Sequence, residues 1–142
     1  MNREAIYSAL FTKLSSIALL KTSSRILMHW DDVAPNQQPA LYMAQDDQTA
    51  TQVTGFPTKY TLGAKIWIYC HRDTNGVIPA TQVNNILDAI DLVLKPVPNP
   101  TYKETLGGLV EHCWIDGNIV TDEGTLGNQT VALIPIRILT TQ

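Results

Sequence analysis

Few residues in this 142-residue sequence have the types and spacing that catalysis or metal binding needs. Two Cys–His neighbours come first, Cys70-His71 and His112-Cys113. Two thiols and two imidazoles are a donor set for zinc, and a thiol beside an imidazole is the pairing of a cysteine nucleophile. Strand alternation opposes both. If Cys70 points into a core, His71 points away from it, and the same holds for His112 and Cys113. Four ligands would not converge without a bulge in each strand, and the spacing lacks the short ligand intervals of structural zinc sites. The plainer expectation is two small buried thiols, with no metal and no cofactor.

The adjacent carboxylates Asp31-Asp32 and Asp46-Asp47 diverge as chain neighbours do, so neither pair makes an acid–base couple. They suit solvated loops, or a hard cation held by several loop carboxylates. Gly107-Gly108 and Asp122-Glu123-Gly124-Thr125-Leu126-Gly127 bear glycines, but no lysine follows and neither opens a helix, so both read as turns and not as phosphate loops. Asn128-Gln129-Thr130 is a glycosylation sequon with meaning only in a secreted protein. No acid, base or nucleophile constellation emerges, and the expectation is a protein that is not an enzyme.

Composition narrows the class further. The length suits one domain of roughly 100–200 residues, large enough to bury a core without disulfide or metal staples. Hydrophobic residues make up 44% and charged residues 16%. The charged share is low against a usual value of about 25%, which suits a surface partly buried against other subunits. No apolar run approaches the roughly 18 residues that a membrane span requires, so no membrane partner is expected. The N-terminal MNREAIYSAL has no secretory pattern, and two cysteines are too few for a disulfide framework. A net charge of -3 argues against a general nucleic-acid binder. No fixed-period repeat is visible.

The elements that would position these residues follow from periodicity. Ile6, Leu10, Leu14 and Ile17 predict a first helix over Asn2–Ile17. Arg25–Trp30 reads as a short strand, and so does Pro39–Gln45. Asp46–Gly55 is polar throughout and reads as a long loop or a projecting hairpin. Lys59–Arg72 is the clearest strand. Leu62, Ala64, Ile66, Ile68 and Cys70 take its core face, while Lys65, Trp67, Tyr69 and His71 take the other, which then needs covering by a helix or a partner chain. A turn at Asp73-Thr74-Asn75-Gly76 and Pro79 introduce a second helix with the stripe Val83, Ile86, Leu87, Ile90, Val93 and Leu94, ended by Pro96, Pro98 and Pro100. Strands are expected at Leu109–Ile115, Asn118–Thr121 and Gln129–Leu139, with a hairpin at Asp116-Gly117. Pro135 should make the last strand an edge or a bulge. The result is an α+β fold: an antiparallel-rich mixed sheet with two main helices packed on one face, in a single domain over residues 1–142.

Charge placement says more than any motif. Residues 1–30 hold Arg3, Lys13, Lys21 and Arg25 against Glu4 alone. Residues 31–58 hold four Asp and no base, and residues 104–136 hold Glu104, Glu111, Asp116, Asp122 and Glu123 and no base. Opposite charges on different faces let copies join head to tail, and such a contact closes into a ring when its rotation allows. Trp30, Trp67, Tyr69 and Trp114 are the candidate subunit-interface aromatics, since Trp and Tyr are enriched at interaction hot spots.

The succession RILMHWDDVAPNQQPALYMAQ, PTKYTLGAKIWIYC, LDAIDLVLKP, TLGGLVEHCWIDG and TDEGTLGNQTVALIPIRIL, behind an N-terminal helix, resembles the tail terminator (tail completion) proteins of long-tailed bacteriophages. The likeness runs over about Met1 to Leu139. It implies a structural subunit of a homo-hexameric ring on the head-proximal end of the tail tube. Such a ring stops tube polymerisation and offers a docking surface to the head connector or adaptor, with DNA passing through unread. The implied location is the virion tail, with the host cytoplasm during assembly. The resemblance carries over no catalytic residues. On this reading Asp46, Asp47, Gln48, Thr49, Thr51, Gln52 and Val53 are the candidate contacts with tube or connector, because a polar segment can order on binding. Asp116, Asp122 and Glu123 are the candidate acidic lining of the lumen or docking face. The alternatives are a head–tail connector adaptor, a tube subunit, or a small ligand-binding domain or enzyme.

Overall fold

The computed structural model describes residues 1–73, 75–96 and 102–142. Its elements are α1 (Arg3–Ser15), β1 (Thr22–Ser24), β2 (Ala40–Thr51), β3 (Lys59–His71), α2 (Ala80–Val93), β4 (His112–Ile115), β5 (Val120–Leu126) and β6 (Gln129–Thr141), with two short 3-10 turns at Trp30–Asp32 and Pro35–Gln37. One six-stranded sheet runs β1-β2-β3-β6, with β4 and β5 both along the far edge of β6. Among the described strands only β1 pairs in parallel, with β2. The α+β expectation holds.

Alternation builds the sheet. Along β6, Ala132, Ile134, Ile136 and Ile138 are buried and their neighbours Val131, Leu133, Pro135, Arg137 and Leu139 are only partly so. Along β3 the expected face, Leu62, Ala64, Ile66, Ile68 and Cys70, lies in the core. Both helices close that face. Asn2 caps α1 through a side chain accepting from the Ala5 N–H at 3.0 Å, and Ile6, Tyr7, Leu10 and Leu14 turn inward. From α2 come Val83, Ile86 and Ile90. Each such buried side chain contributes about 1.5–3 kcal/mol. Lys13 ties the two helices together. Its ammonium reaches the Val93 carbonyl at the C-terminal end of α2, and Glu104 at 2.8 Å.

The opposite face corrects the sequence reading. Where the sequence reading asked for a helix or a partner chain, the chain's own segment from Met28 to Pro39 covers Tyr69 and partly covers Trp67. Val33, Ala40, Tyr42 and Tyr69 form a second small core, with Trp30, Trp67 and Val131 packed against it. Polar bonds clamp the cover. The Tyr69 hydroxyl donates to the Met28 carbonyl at 2.7 Å, and the buried amides of Gln38 and Gln129 bond reciprocally at 2.8 and 3.1 Å. The expected strand Arg25–Trp30 does not form. The strand lies earlier, at Thr22–Ser24, where the chain meets the start of β2.

Three further expectations change near the C-terminus. The strand expected from Leu109 begins at His112, and the one expected at Asn118–Thr121 runs from Val120 to Leu126. Asp116-Gly117 is not a hairpin, because β4 and β5 both run antiparallel to β6 along the same edge. The tight turn is Gly127-Asn128, closed by the pair Leu126 and Gln129, with Gly127 at φ +68°. Nor is β6 an edge strand. Pro135 sits where β4 has ended and β5 has not begun, and its carbonyl accepts from the Asp116 N–H at 3.1 Å. Its missing N–H therefore faces that gap and not β3, which is how proline is tolerated in a central strand. Of the residues around α2, Thr74, Pro98 and Pro100 lie outside the described residues.

Candidate functional site

The polar stretch Asp46–Gly55 is only partly a loop. Asp46–Thr51 continue β2 paired with β3, and the register slips between Gln45 and Gln48, leaving Asp46 and Asp47 in a bulge. Thr51 carries on directly into the tip. The Phe56 N–H donates to the Val53 carbonyl at 3.0 Å, and Gly55, at φ +86°, takes the left-handed position that such a turn reserves for glycine. The unit is thus a long hairpin, and the sequence reading of a loop fails because a bulge breaks the alternation that marks a strand.

The bulge is held from below. Asp47 pairs with Arg137 at 2.5 Å, Asp46 with Lys65 at 3.6 Å, and Asp116 lies 3.9 Å from Arg137. The Arg137 hydrogen bond is the main cause holding the Asp47 carboxyl below its ordinary value. Gly63 makes this possible. A Cβ there would lie 2.8 Å from the Asp47 carbonyl oxygen and 2.8 Å from Arg137 Nη1. Gln48 accepts from Arg3 Nε at 2.8 Å, and the Arg3 guanidinium sits 4.9 Å over the Tyr60 ring.

At its end the hairpin is apolar. Val53 is 58% exposed and Phe56 69% exposed. With Thr51, Pro57, Lys59, Thr61 and Leu139 they line an open groove of about 430 Å³. The sequence reading names Val53 as a contact candidate and does not name Phe56, which falls just beyond the polar stretch. An aromatic side chain stranded between Gly55 and Pro57 was the available signal.

The remaining candidates scatter. Trp30 and Trp67 are half-buried in the second core, and Tyr69, at 3% exposed, is committed to its own chain. Trp114 stacks on His112 with ring centroids 5.0 Å apart, on the outer face of β4. Thr49 and Thr51 are exposed on β2, and Gln52 begins the tip. Asp122 and Glu123 lie on β5, where Asp122 accepts from the Thr125 hydroxyl. Much of the expected charge asymmetry is cancelled within the chain. Glu104 pairs with Lys13, Glu111 with Lys59, and Glu4 with Arg25.

The Cys–His neighbours do not meet. Cys70 and Cys113 are both in the core, and burial pushes each thiol up to about 12. The His71 ring faces Asp73 at 3.1 Å, and His112 Nδ1 accepts from the Glu104 N–H. Among the described residues no cluster of three or more His, Cys, Asp or Glu could hold a metal. A cleft of about 410 Å³ lies beside His71, Arg72 and the start of α2. The Arg72 guanidinium there donates to the Val77 carbonyl and to Asn128. No helix among the described residues is long and apolar enough to cross a membrane.

No family profile matches the chain, and no curated protein matches it in sequence. Its fold, however, has a counterpart. A chain from the virion of a native gene transfer agent (GTA) particle superposes with a TM-score of 0.59, over 99% of this chain and 97% of that chain, at 8% sequence identity. The two chains share one fold from end to end.

Proposed function

We propose that this chain is a structural subunit of a phage-like virion, and within it a tail terminator. Copies form a closed hexameric ring on the head-proximal end of the tail tube, stop the tube from growing, and offer the head connector or adaptor a surface on which to dock. DNA passes through the ring without being read. The observation that carries the reading is the shared fold with a GTA virion chain over nearly the whole of both chains. The sequence resemblance to tail terminators points the same way. No bond is made or broken in this role. Capping works by mismatch: one face of the ring copies what a tube subunit presents, the other does not.

The hairpin from Ala40 to His71 is the proposed contact arm. Its bulge is braced by Arg137 and Lys65, and its exposed Val53 and Phe56 can be buried on a partner. Electron microscopy of particles assembled without this protein is the test. Tails of uncontrolled length, together with a native mass of six copies for the purified protein, are the expected result. Finished tails of normal length beside separate heads would replace the reading with a head–tail adaptor, and recovery of the protein along the whole tail would replace it with a tube subunit.

A further inference from the structure

The sheet ends in two short free edges. On one side is β1. On the other, over the first half of β6, is β5. Among the described residues neither outer edge has a backbone partner. An unpaired strand edge is a template for a further strand.

These two edges match in four respects. They stand on the same rows of the sheet: Thr22, Ala40, Tyr69, Val131 and Asp122 make one row, and Ser23, Leu41, Ile68, Ala132 and Thr121 the next. They run in opposite directions, because β1 is parallel to β2, β2 runs the same way as β6, and β5 is antiparallel to β6. Their regular lengths are close, three residues in β1 and the first part of β5 before its break. The register of β5 breaks after Glu123, leaving Val120–Glu123 as its regular edge, opposite Lys21–Ser24. They are also complementary in charge. Lys21 and Glu123 fall on neighbouring ends of the two edges, both exposed, and neither makes an ion pair among the described residues.

We propose that β5 of one copy pairs antiparallel with β1 of the next, Thr121 opposite Ser23, so that one sheet crosses every subunit contact. The occupant of each edge is a second copy of this chain. The level rows matter most. Shared rows put the two edges in register with each other, and a head-to-tail contact of this kind closes into a ring where its rotation allows. The Lys21 ammonium then lies against Asp122 and Glu123, which fixes register as cross-strand charge pairs do. The inference rests on the ring reading and assigns its subunit contact.

Paired cysteines test it. In the full-length chain, Ser23→Cys with Thr121→Cys should cross-link under a mild oxidant into a ladder of multimers ending at the ring size. Ser23→Cys with Thr51→Cys, on a distant part of the sheet, should not. Lys21→Glu and Glu123→Lys should each weaken assembly about fivefold, and the two together should restore it. An assembled native mass with cross-linking no better than the distant control overturns the pairing and leaves the ring standing. A single-copy mass at every concentration used overturns the ring and the pairing together.

Discussion

Gly63 shows how much one residue can decide. It lies in the middle of β3, a position where glycine ordinarily weakens a strand. Here its missing side chain lets the Asp47 backbone and the Arg137 guanidinium press down on the sheet, while its own carbonyl accepts from the Tyr7 hydroxyl at 2.9 Å. Helix, bulge and ion pair therefore meet at one backbone position. Gly63→Ala should cost about 1–3 kcal/mol, because the Asp47 carbonyl is main chain and cannot swing aside. A urea midpoint measures this, and an unchanged midpoint would mean that the bulge relaxes freely. Cys70 and Cys113 illustrate the opposite case. Their neighbours in sequence suggested chemistry, but strand alternation sends each thiol inward and each imidazole outward.

At the scale of elements, the β2–β3 hairpin separates two kinds of residue that the sequence presents as one polar stretch. Asp46 and Asp47 serve the fold, through Lys65 and Arg137. Val53 and Phe56 form the tip turn through their backbones and leave their side chains largely exposed. Deleting all of Asp46–Gly55 would remove half a strand, so it is not a clean test of a contact arm. Val53→Ser with Phe56→Ser is. The expected outcome is an unchanged thermal midpoint and loss of tube capping, seen as overlong tails. Normal tail lengths with the double variant would show that the tip makes no essential contact. The second core makes a related point. A strand reading puts Trp67 and Tyr69 on one outer face and cannot see the distant loop that folds back against them.

Across the whole molecule, carboxylates staple segments far apart in sequence. Glu4 is bound by Arg25, Asp47 by Arg137, and Glu111 by Thr141 and Lys59. Hydrogen bonding to these partners is the main reason each carboxyl is held below its ordinary value. The folded state thus keeps the charged form more firmly than the unfolded chain does. The stabilisation is complete above the ordinary values of 3.8 for Asp and 4.5 for Glu, and it is lost as pH falls through the lowered ones. Urea midpoints between pH 7 and pH 3 should drop at the acid end, and Asp47→Asn with Glu111→Gln should flatten that drop. A midpoint constant down to pH 3 would show that the staples add nothing.

By itself the sequence determined the two helices, the strands β3 and β6 and their inward faces, because periods of 3.6 and 2 are local properties of the chain. It also carried the α+β class. Only the tertiary structure decided the bulge over Gly63, the gap that admits Pro135, the loop over Tyr69 and the level free edges of β1 and β5. Each of these depends on which strand lies beside which, and that pairing is a balance of contacts between residues tens of positions apart.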